Sequence, residues 1–260
     1  MKKKCYDILS KEYLSNDIVS MWIKADDISN TAVPGQFVSV YCDDKSRLLP
    51  RPISICDTNT DGGLRLVFRI VGKGTSELAA KDAGDKVDII GPLGNGYPEA
   101  LKIIESMDSP KVAIIGGGIG IPPMLKTAKA LECEKYVILG YRDFLFMNDE
   151  FADYGHVYVS TEDGSAGTRG NVIDCMKENN LKPDVILACG PLPMLKGIKQ
   201  YAVDNNIAAY ISLEEKMACG IGACLACVCK TNEIDSHSMV KNKRICKDGP
   251  VFDAKEVDFS

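Results

Sequence analysis

The sequence predicts three structural parts in order along the chain: a β-barrel, a parallel α/β sheet and a small cysteine-rich module. Three observations support this division. Short apolar segments separated by turn residues run to about residue 100, strand-like and helix-like segments alternate from Lys111, and the chain from Ile211 is rich in cysteine and glycine. A chain of 260 residues is also long for one hydrophobic core. We therefore place the parts at residues 1–102, 103–210 and 211–260.

The first part contains five short apolar segments with turn clusters between them, a spacing typical of a β-barrel or sandwich. These segments are residues 18–23, 37–41, 53–56, 64–71 and 86–90. One of them carries the motif Arg51-Pro52-Ile53-Ser54. A guanidinium can clamp a pyrophosphate, proline fixes the approach of the chain, and a serine hydroxyl can bond a flavin ring nitrogen.

A second loop of the first part follows Arg69 and reads Gly72-Lys73-Gly74-Thr75. Its glycines leave N–H groups free to face phosphate oxygens where a helical stretch begins. The alternative is an ordinary hairpin turn beside a surface arginine. Two such loops in one small β-domain favour a phosphate-containing ligand.

The second part alternates predicted strands at residues 112–115, 136–141, 156–160 and 185–189 with helical stretches, the pattern of a parallel sheet. The first strand runs into a loop with glycines at Gly116, Gly117, Gly118 and Gly120. The loop departs from G-x-G-x-x-G because Ile121 takes the last position. The prolines that follow suit the first turn of a helix.

The segment Cys189-Gly190-Pro191 ends another predicted strand of this sheet. Ligands of open α/β sheets bind at the carboxyl ends of the strands. The alternative is a simple turn from strand to helix.

Three cysteines of the tail, Cys219, Cys224 and Cys227, have the spacing C-x4-C-x2-C, and Cys246 follows further on. This is the ligand pattern of a plant-type [2Fe-2S] cluster. The glycines and alanines between the cysteines allow backbone N–H groups to approach the cluster sulfurs. The pattern predicts transfer of single electrons.

Other cysteine sites fit the spacing less well. A structural zinc site usually shows two paired motifs, and a Rieske centre needs two histidines, whereas neither His156 nor His237 lies beside a cysteine in a repeated spacing. Cys229 competes with Cys246 as the fourth ligand, but it follows Cys227 by only two residues. We favour Cys246.

Composition excludes some functions. The net charge of −5 gives nucleic acid little to bind, and the longest apolar stretch, residues 112–125, is broken by four glycines and two prolines, so we expect no membrane span. The basic N-terminal residues are not followed by the apolar core of a signal peptide. Eleven cysteines without such a signal indicate a reducing compartment, so we expect a cytoplasmic protein.

Taken together and in this order, the motifs resemble the ferredoxin-reductase superfamily and, in detail, the family of electron-transfer subunits of NAD-linked (class 1B) dihydroorotate dehydrogenases. The resemblance covers essentially the whole chain. It rests on R-P-I-S, V-F-R at 67–69, G-T at 74–75, the G-G-G-I-G loop, C-G-P, E-K-M-A-C-G-I-G-A-C-L-A-C and the closing run at 244–252.

The resemblance implies FAD on the barrel, NAD(H) on the α/β domain and a [2Fe-2S] cluster in the tail. The implied FAD residues are Arg51, Pro52, Ile53, Ser54, Val67, Phe68, Arg69, Gly74 and Thr75. The implied NAD(H) residues are Gly116, Gly117, Gly118, Gly120, Gly190 and Pro191, and the implied cluster ligands are Cys219, Cys224, Cys227 and Cys246. Arg51 would contact the pyrophosphate, Ser54 the isoalloxazine edge, and Gly74 and Thr75 the phosphates. Cys189 would lie near the nicotinamide.

The resemblance further implies a partner, an FMN-containing catalytic subunit that oxidises dihydroorotate in pyrimidine (UMP) biosynthesis, in a heterotetramer of two chains of each kind. Two departures from the wider superfamily matter. Ile53 replaces the aromatic residue with which many relatives stack on the flavin, and Ser160 is followed by Thr161, Glu162 and Asp163 instead of arginine. Carboxylates repel a 2′-phosphate and accept a hydrogen bond from a free 2′-OH, which favours NADH.

Two further hypotheses stay open from the sequence. The chain also resembles the small subunit of other flavin complexes, such as a bifurcating NADH/ferredoxin/NADP oxidoreductase or a sulfide dehydrogenase. A hypothesis from a different class is a redox-responsive binding module that reports cell state without turnover. Rapid reduction of a bound flavin by NADH would argue against a sensor.

Overall fold

The computed structural model describes residues 2–234 and 239–259. His237, considered above as a cluster ligand, lies outside the described residues. Within them the chain forms a closed six-stranded barrel, a seven-stranded sheet and a small two-stranded sheet. The barrel and the mostly parallel sheet confirm the predicted fold class.

The barrel is antiparallel throughout, with strand order β1-β2-β5-β4-β3-β6 and β6 pairing back to β1. Its strands are β1 (Lys4–Tyr13), β2 (Ile18–Lys24), β3 (Phe37–Tyr41), β4 (Arg51–Thr58), β5 (Gly63–Arg69) and β6 (Lys86–Leu93). Two short helices, α1 (Asp26–Ser29) and α2 (Lys73–Ala79), lie between strands. Alternate side chains such as Val38 and Ile55 point into the barrel and are fully buried.

The α/β domain follows with parallel strands and four helices. Its strands are β7 (Lys111–Gly117), β8 (Glu134–Tyr141), β9 (His156–Thr161), β10 (Thr168–Arg169), β11 (Val185–Cys189) and β12 (Ala208–Ser212). Its helices are α3 (Pro98–Glu105), α4 (Ile121–Lys129), α5 (Val172–Glu178) and α6 (Leu192–Asp204). Short 3-10 turns occupy Gly118–Gly120 and Asn148–Phe151. Prolines stand in the first turn of α4, as the sequence predicts.

The C-terminal segment is only partly separate from the α/β domain. It forms β13 (Val228–Lys230), β14 (Asn242–Arg244) and β15 (Val251–Asp253). β13 and β14 pair with each other, whereas β15 joins the edge of the large sheet, antiparallel to β12. β12 itself runs across residues 210 and 211, between which we drew the boundary.

The order of the large sheet, β10-β9-β8-β7-β11-β12-β15, identifies where its ligands bind. The chain proceeds from β7 to one side and later returns to place β11 on the other side, so the strand order switches between these two neighbours. Loops diverge at such a point and leave a crevice at the carboxyl ends of the strands. The loops there are Gly118–Gly120 and the segment Gly190-Pro191.

None of the helices in the described part of the chain has both the length and the apolar character needed to cross a membrane.

Candidate functional site

A groove of about 1180 Å³ lies where the barrel, the α/β domain and the C-terminal segment meet. All nine barrel residues that the sequence assigned to FAD line it. The opposite wall consists of Ile119, Ser212, Leu213, Glu214, Glu215, Lys216, Met217 and Pro250. The structure therefore brings the two barrel motifs together on one surface, although some 20 residues separate them in the chain.

Arg51 and Gly74 are in direct contact at one end of the groove. A Cβ at Gly74 would overlap the Arg51 guanidinium, so glycine is what allows the two to approach. Arg51 also donates a hydrogen bond to the carbonyl of Leu49, which fixes the side chain beside the first turn of α2. A guanidinium next to the first-turn N–H groups of a helix forms a surface for phosphate oxygens.

Thr75 shapes this phosphate-facing turn through its side chain. Its Oγ1 accepts hydrogen bonds from the N–H groups of Val71 at 2.9 Å and Gly72 at 3.2 Å. It donates in turn to the carbonyl of Gly72 at 3.1 Å. The hydroxyl is thus engaged in the loop itself, and Thr75 contributes to the groove mainly by holding the turn in shape.

The part of the groove assigned to the flavin ring is aliphatic where a ligand would touch it. The two aromatic residues of the lining, Phe37 and Phe68, are only 3% and 5% exposed, and the Ile53 side chain packs in the barrel core. Val71, by contrast, is 79% exposed. Among these lining residues, the exposed apolar surface is therefore aliphatic.

Glu214 extends from the end of β12 into the groove. Its side chain is exposed at the groove, but neighbouring protein atoms partly desolvate the carboxyl group, and this raises the pKa of Glu214 above its ordinary value. Sequence reasoning did not single out this residue or Arg47, which also lines the groove and pairs with Glu77. The run E-K-M-A-C before the cluster cysteines is the only signal that could have pointed to Glu214.

The two loops assigned to NAD(H) come together at the switch between β7 and β11. A Cβ at Gly120 would lie 2.6 Å from the amide nitrogen of Gly190, so glycine allows the loops to touch. The side chain of Met194 covers both Gly117 and Gly190. Gly118 has φ +53° with open space around its Cα, which leaves its backbone accessible to a ligand.

Cys189 lies at the carboxyl end of β11, between Gly116 of β7 and Ser212 of β12. Its thiol is 1% exposed, and burial, reinforced by the charge of Glu214, raises the pKa of Cys189. Ser212 lines the groove, so Cys189 lies directly beneath that wall. A neutral, small side chain at this position leaves room in the crevice above it.

A second cleft of about 570 Å³ adjoins the glycine loop and also separates the barrel from the α/β domain. Gly118, Arg69 and Asp17 line it, together with Arg142 and Phe144 from the loop after β8. Arg69 lines the groove as well, so its side chain stands between the two cavities. Arg142 and Phe144 were not predicted from the sequence, because only the folded sheet places their loop beside Gly118.

The acidic turn after β9 packs against the loop that carries Arg142. The N–H of Glu162 donates to the carbonyl of Tyr141 at 3.2 Å, and Ser165 Oγ donates to the carbonyl of Asp143 at 3.4 Å. The N–H and hydroxyl of Ser165 lower the pKa of Asp163. A charged carboxylate therefore stands close to the second cleft.

Backbone N–H groups are directed at the sulfurs of the predicted cluster cysteines. Cys219 Sγ accepts from the N–H groups of Ile221 at 3.5 Å and Ala223 at 3.3 Å. Cys246 Sγ accepts from Gly222 at 3.1 Å, and Cys227 Sγ accepts from the N–H of Cys246 at 3.4 Å. These donors are of the kind that stabilises thiolates in an iron–sulfur site.

The thiol pKa values follow from the same contacts. Partial burial acts to raise the pKa of Cys219, but the Ile221 N–H and the neighbouring Cys224 outweigh it and lower the pKa to about 6. Burial and the proximity of Cys227 raise the pKa of Cys246 to about 12. The sulfurs of Cys219 and Cys224, and those of Cys227 and Cys246, are thus close enough to influence each other.

Cys229 points away from this group. Its Sγ lies 3.6 Å from the carbonyl of Lys243 on the neighbouring strand β14, and burial raises its pKa to about 11. Among the described residues, no set of three or more His, Cys, Asp or Glu side chains is placed to hold a single metal ion. The donor set fits a [2Fe-2S] cluster by its chemistry, because it offers four thiols and backbone N–H donors at three of their sulfurs.

The groove and the cysteine loop are adjacent in the chain and in space. Lys216 and Met217 line the groove, and Cys219 follows Met217 by two residues. Because a residue spans at most about 3.6 Å, the Cα atoms of Met217 and Cys219 lie within about 7 Å of each other. The arrangement places the candidate cluster cysteines next to the end of the groove.

Comparison with known proteins agrees with this geometry. Residues 214–258 match the model of the iron-sulfur cluster binding domain of dihydroorotate dehydrogenase B. The chain is 41% identical to the dihydroorotate dehydrogenase B (NAD(+)) electron transfer subunit of Bacillus velezensis over 99% of both chains. It is 40% identical to the corresponding subunit of Fusobacterium nucleatum over 95% of both.

A solved structure is also similar over nearly the whole chain. It is that of an NADH-dependent reduced ferredoxin-NADP oxidoreductase, studied for flavin-based electron bifurcation. The TM-score is 0.84 at 32% sequence identity, covering 98% of this chain and 90% of the other.

Proposed function

The chain belongs to the family of dihydroorotate dehydrogenase B (NAD(+)) electron transfer subunits, and we propose that it passes electrons between NAD and an FMN-containing catalytic subunit that oxidises dihydroorotate to orotate, in pyrimidine biosynthesis. One observation carries the proposal: the groove lined by the barrel motifs ends at Met217, two residues before the first of the four cluster cysteines. When bound, FAD exchanges a hydride with NAD(H), and the [2Fe-2S] cluster carries electrons singly. The residues of the chain hold and orient these groups.

In the groove, we assign Arg51 and the first turn of α2 with Gly74 and Thr75 to the FAD phosphates. The guanidinium supplies charge-assisted hydrogen bonds, and the turn supplies N–H groups. The segment Pro52–Ser54 with Val67, Phe68 and Arg69 forms the wall beside the isoalloxazine ring. Ser54 would supply a hydroxyl to the edge of the ring.

For NAD(H), we assign the crevice between Gly116–Gly120 and Gly190-Pro191, with Cys189 beneath the nicotinamide. The open backbone at Gly118 and the cation of Arg142 in the second cleft suit a pyrophosphate. Glu162 and Asp163 supply carboxylates near the same cleft, which disfavour a 2′-phosphate. These features support NADH as the cofactor.

For the cluster, we assign Cys219, Cys224, Cys227 and Cys246 as ligands. The surface around them is apolar and exposed: Ile221 is 52% exposed, Leu225 54% and Val228 36%, and Cys224 is itself exposed. Exposed apolar residues grouped around a redox site are what a partner protein would cover. We therefore place the catalytic subunit over this loop.

Assembly and location follow as parts of the proposal. We propose a heterotetramer of two such chains and two catalytic subunits, in which each chain serves the nearest FMN. We also propose a cytoplasmic location, because all eleven cysteines, each within the described residues, are free thiols. A reducing compartment keeps the cluster ligands available for iron.

The decisive experiment is anaerobic purification of the native complex through a tag on this chain, followed by identification of what accompanies it. An FMN-containing partner, with dihydroorotate-dependent NAD reduction and orotate formation, is the expected result. A different flavoprotein partner without orotate formation would contradict the proposal and would move the chain to another flavin complex.

The second candidate function is the small subunit of a bifurcating oxidoreductase. The similarity at 32% identity to such a structure favours it over a sulfide dehydrogenase subunit or a redox sensor. The identity to the dihydroorotate dehydrogenase subunits is higher, at 40% and 41%, and the cluster-binding segment matches their family model. The purification experiment separates the two functions through the partner it recovers.

A further inference from the structure

Ser39 lies on the outer face of the barrel, between the groove and the cysteine loop. In β3 it pairs with Pro52, and Phe37 precedes it by two positions. Residues that pair across two strands point to the same face of a sheet. Phe37 and Pro52 both line the groove, so Ser39 shares their face, whereas Val38 and Val40 point into the barrel core.

The Ser39 hydroxyl is buried without a partner. Ser39 is 2% exposed, and among the described residues its Oγ makes no hydrogen bond. Ser160, on β9 of the α/β domain, is a second buried serine in the same condition. A hydroxyl taken out of water destabilises the fold unless a partner is supplied, so the Ser39 hydroxyl is available to a group bound beside it.

The group that Ser39 faces is the loop of cluster ligands. Gly220, which follows Cys219, approaches so closely that a Cβ there would lie 2.8 Å from Ser39 Oγ. Gly220 has φ +68°, a conformation that glycine adopts freely and that turns the loop toward the barrel. Leu93 packs on the other side of the same glycine.

A ligand in the groove is a less suitable partner for the Ser39 hydroxyl than the cysteine loop. Phe37 and Pro52 on either side of Ser39 line the groove, but Ser39 itself does not. The backbone of Gly220, beside Cys219, lies next to its hydroxyl. The hydroxyl therefore lies beside the cysteine loop and outside the lining of the groove.

We propose that Ser39 is a positioning residue for the cluster: its hydroxyl donates a hydrogen bond to the bound cluster at the Cys219 end of the loop and raises the reduction potential of the cluster. The inference rests on the proposed function, because it requires a [2Fe-2S] cluster on the four cysteines. Reduction adds negative charge to the sulfurs, so a donor stabilises the reduced state more than the oxidised state. A higher cluster potential favours electron flow into the cluster.

The test is a redox titration of holo-protein purified with its cofactors, following the cluster by electron paramagnetic resonance and the flavin by absorbance. Ser39→Ala should lower the cluster potential by an amount equivalent to about tenfold in the equilibrium constant, or about 59 mV for one electron. The flavin potential and FAD content should stay as in the wild type. Ser160→Ala is the matched control, since it removes a buried hydroxyl far along the chain and should leave the cluster potential unchanged.

A second readout detects the proton itself. After exchange into deuterated water, the reduced wild-type cluster should show a deuteron coupling that Ser39→Ala lacks and Ser160→Ala retains. An unchanged cluster potential, a shift of the flavin potential alone, or equal shifts of both would overturn the proposal. Absence of a cluster signal in the wild type would instead overturn the proposed function, so the two failures are distinguishable.

Discussion

The barrel meets its two neighbours through different kinds of contact. Against the α/β domain it buries charge: the Arg65 side chain is 7% exposed and bonds both carboxylate oxygens of Glu150, while its Nε donates to Ser20 Oγ at 3.0 Å. Beside it, Lys129 of α4 pairs with Asp57 of β4, whose side chain is 8% exposed. Each of these buried charges has its partner within the protein.

Against the cysteine-containing segment the barrel uses glycine and backbone contacts. The N–H of Asn95 donates to the carbonyl of Gly249 at 2.7 Å, and a Cβ at Gly94 would lie 2.6 Å from Pro250 Cδ. The strands β13 and β14 of this segment have three residues each. A two-stranded sheet of such short strands contributes little to the stability of the segment by itself.

The difference shows which part of the molecule depends on its cofactor. At the interface between barrel and α/β domain, the buried charges of Arg65 and Asp57 are paired by side chains of the protein itself. The cysteine loop is complete only with metal, because metal binding supplies folding free energy to such segments. Substitutions in the cysteine loop and at the interface with the α/β domain test this difference. The largest effect on activity is expected from the cysteine loop.

Cys224→Ser should abolish the cluster and leave the rest of the protein intact. Loss of one thiolate removes a cluster ligand, whereas the groove and the interface at Arg65 do not involve Cys224. The cluster signal and electron transfer to the catalytic subunit should disappear, while FAD content and reduction of an artificial dye by NADH persist. Full dihydroorotate:NAD activity in this variant would disprove the route through the cluster.

The matched control for this experiment is Cys229→Ser, because Cys229 lies in the same segment but points toward Lys243. It should retain the cluster signal and the transfer to the partner. Loss of the cluster in this control would make Cys229 the fourth ligand in place of Cys246.

Glu150→Gln should weaken the other interface without touching the cluster. Removing one member of a fully buried ion pair costs about 3–5 kcal/mol. The Glu150 side chain is 36% exposed, so solvent screening reduces the expected loss in the free energy of unfolding to about 1–3 kcal/mol. Denaturant unfolding measures it, and Asp7→Asn, which breaks the exposed pair with Lys86, should have less effect. Equal effects would mean that the buried charges do not hold the domains together.

Arg51→Ala should weaken FAD binding in the groove between these two interfaces. A hydrogen bond to a charged group contributes about 1.5–3 kcal/mol, so the dissociation constant should rise about tenfold to a hundredfold. Flavin content per chain and fluorescence titration of released flavin measure the change. Arg51→Lys keeps the charge but loses the bidentate geometry, so its dissociation constant for FAD should lie between those of the wild type and Arg51→Ala. Unchanged flavin content in Arg51→Ala would refute the pyrophosphate assignment.

The fold was predictable where apolar residues alternate or cluster locally. The segments at residues 37–41 and 185–189 coincide with β3 and β11. β1 was missed because it lies at the surface with only Ile8 fully buried, so its sequence shows charge instead of an apolar pattern. β15 was missed because three residues carry no periodicity, and its pairing with β12 depends on tertiary structure.

The residues of the site also divide into those that a local sequence motif predicted and those that only the fold brings together. The cysteine spacing and the segment Arg51–Ser54 are local motifs, and the structure brings each onto its expected surface. Arg142 and Ser39 carry no motif of their own, because folding alone places one beside the glycine loop and the other against Gly220. Residues of this kind are recognised by burial and neighbours, which a sequence does not display.

Glu214→Gln should produce the smallest effect, at the point where β12 leads into the cluster segment. Desolvation raises the pKa of Glu214 above its ordinary 4.5. The contribution of this group to the free energy of unfolding is therefore fully present below about pH 4.5, and it is lost as the pH rises through the pKa of the folded state. Glutamine does not titrate, so the thermal midpoint of the variant minus that of the wild type should increase from about pH 4.5 towards neutrality. Glu215→Gln, which removes the same charge one residue away, is the control. A difference independent of pH would mean that the groove does not desolvate this carboxyl group.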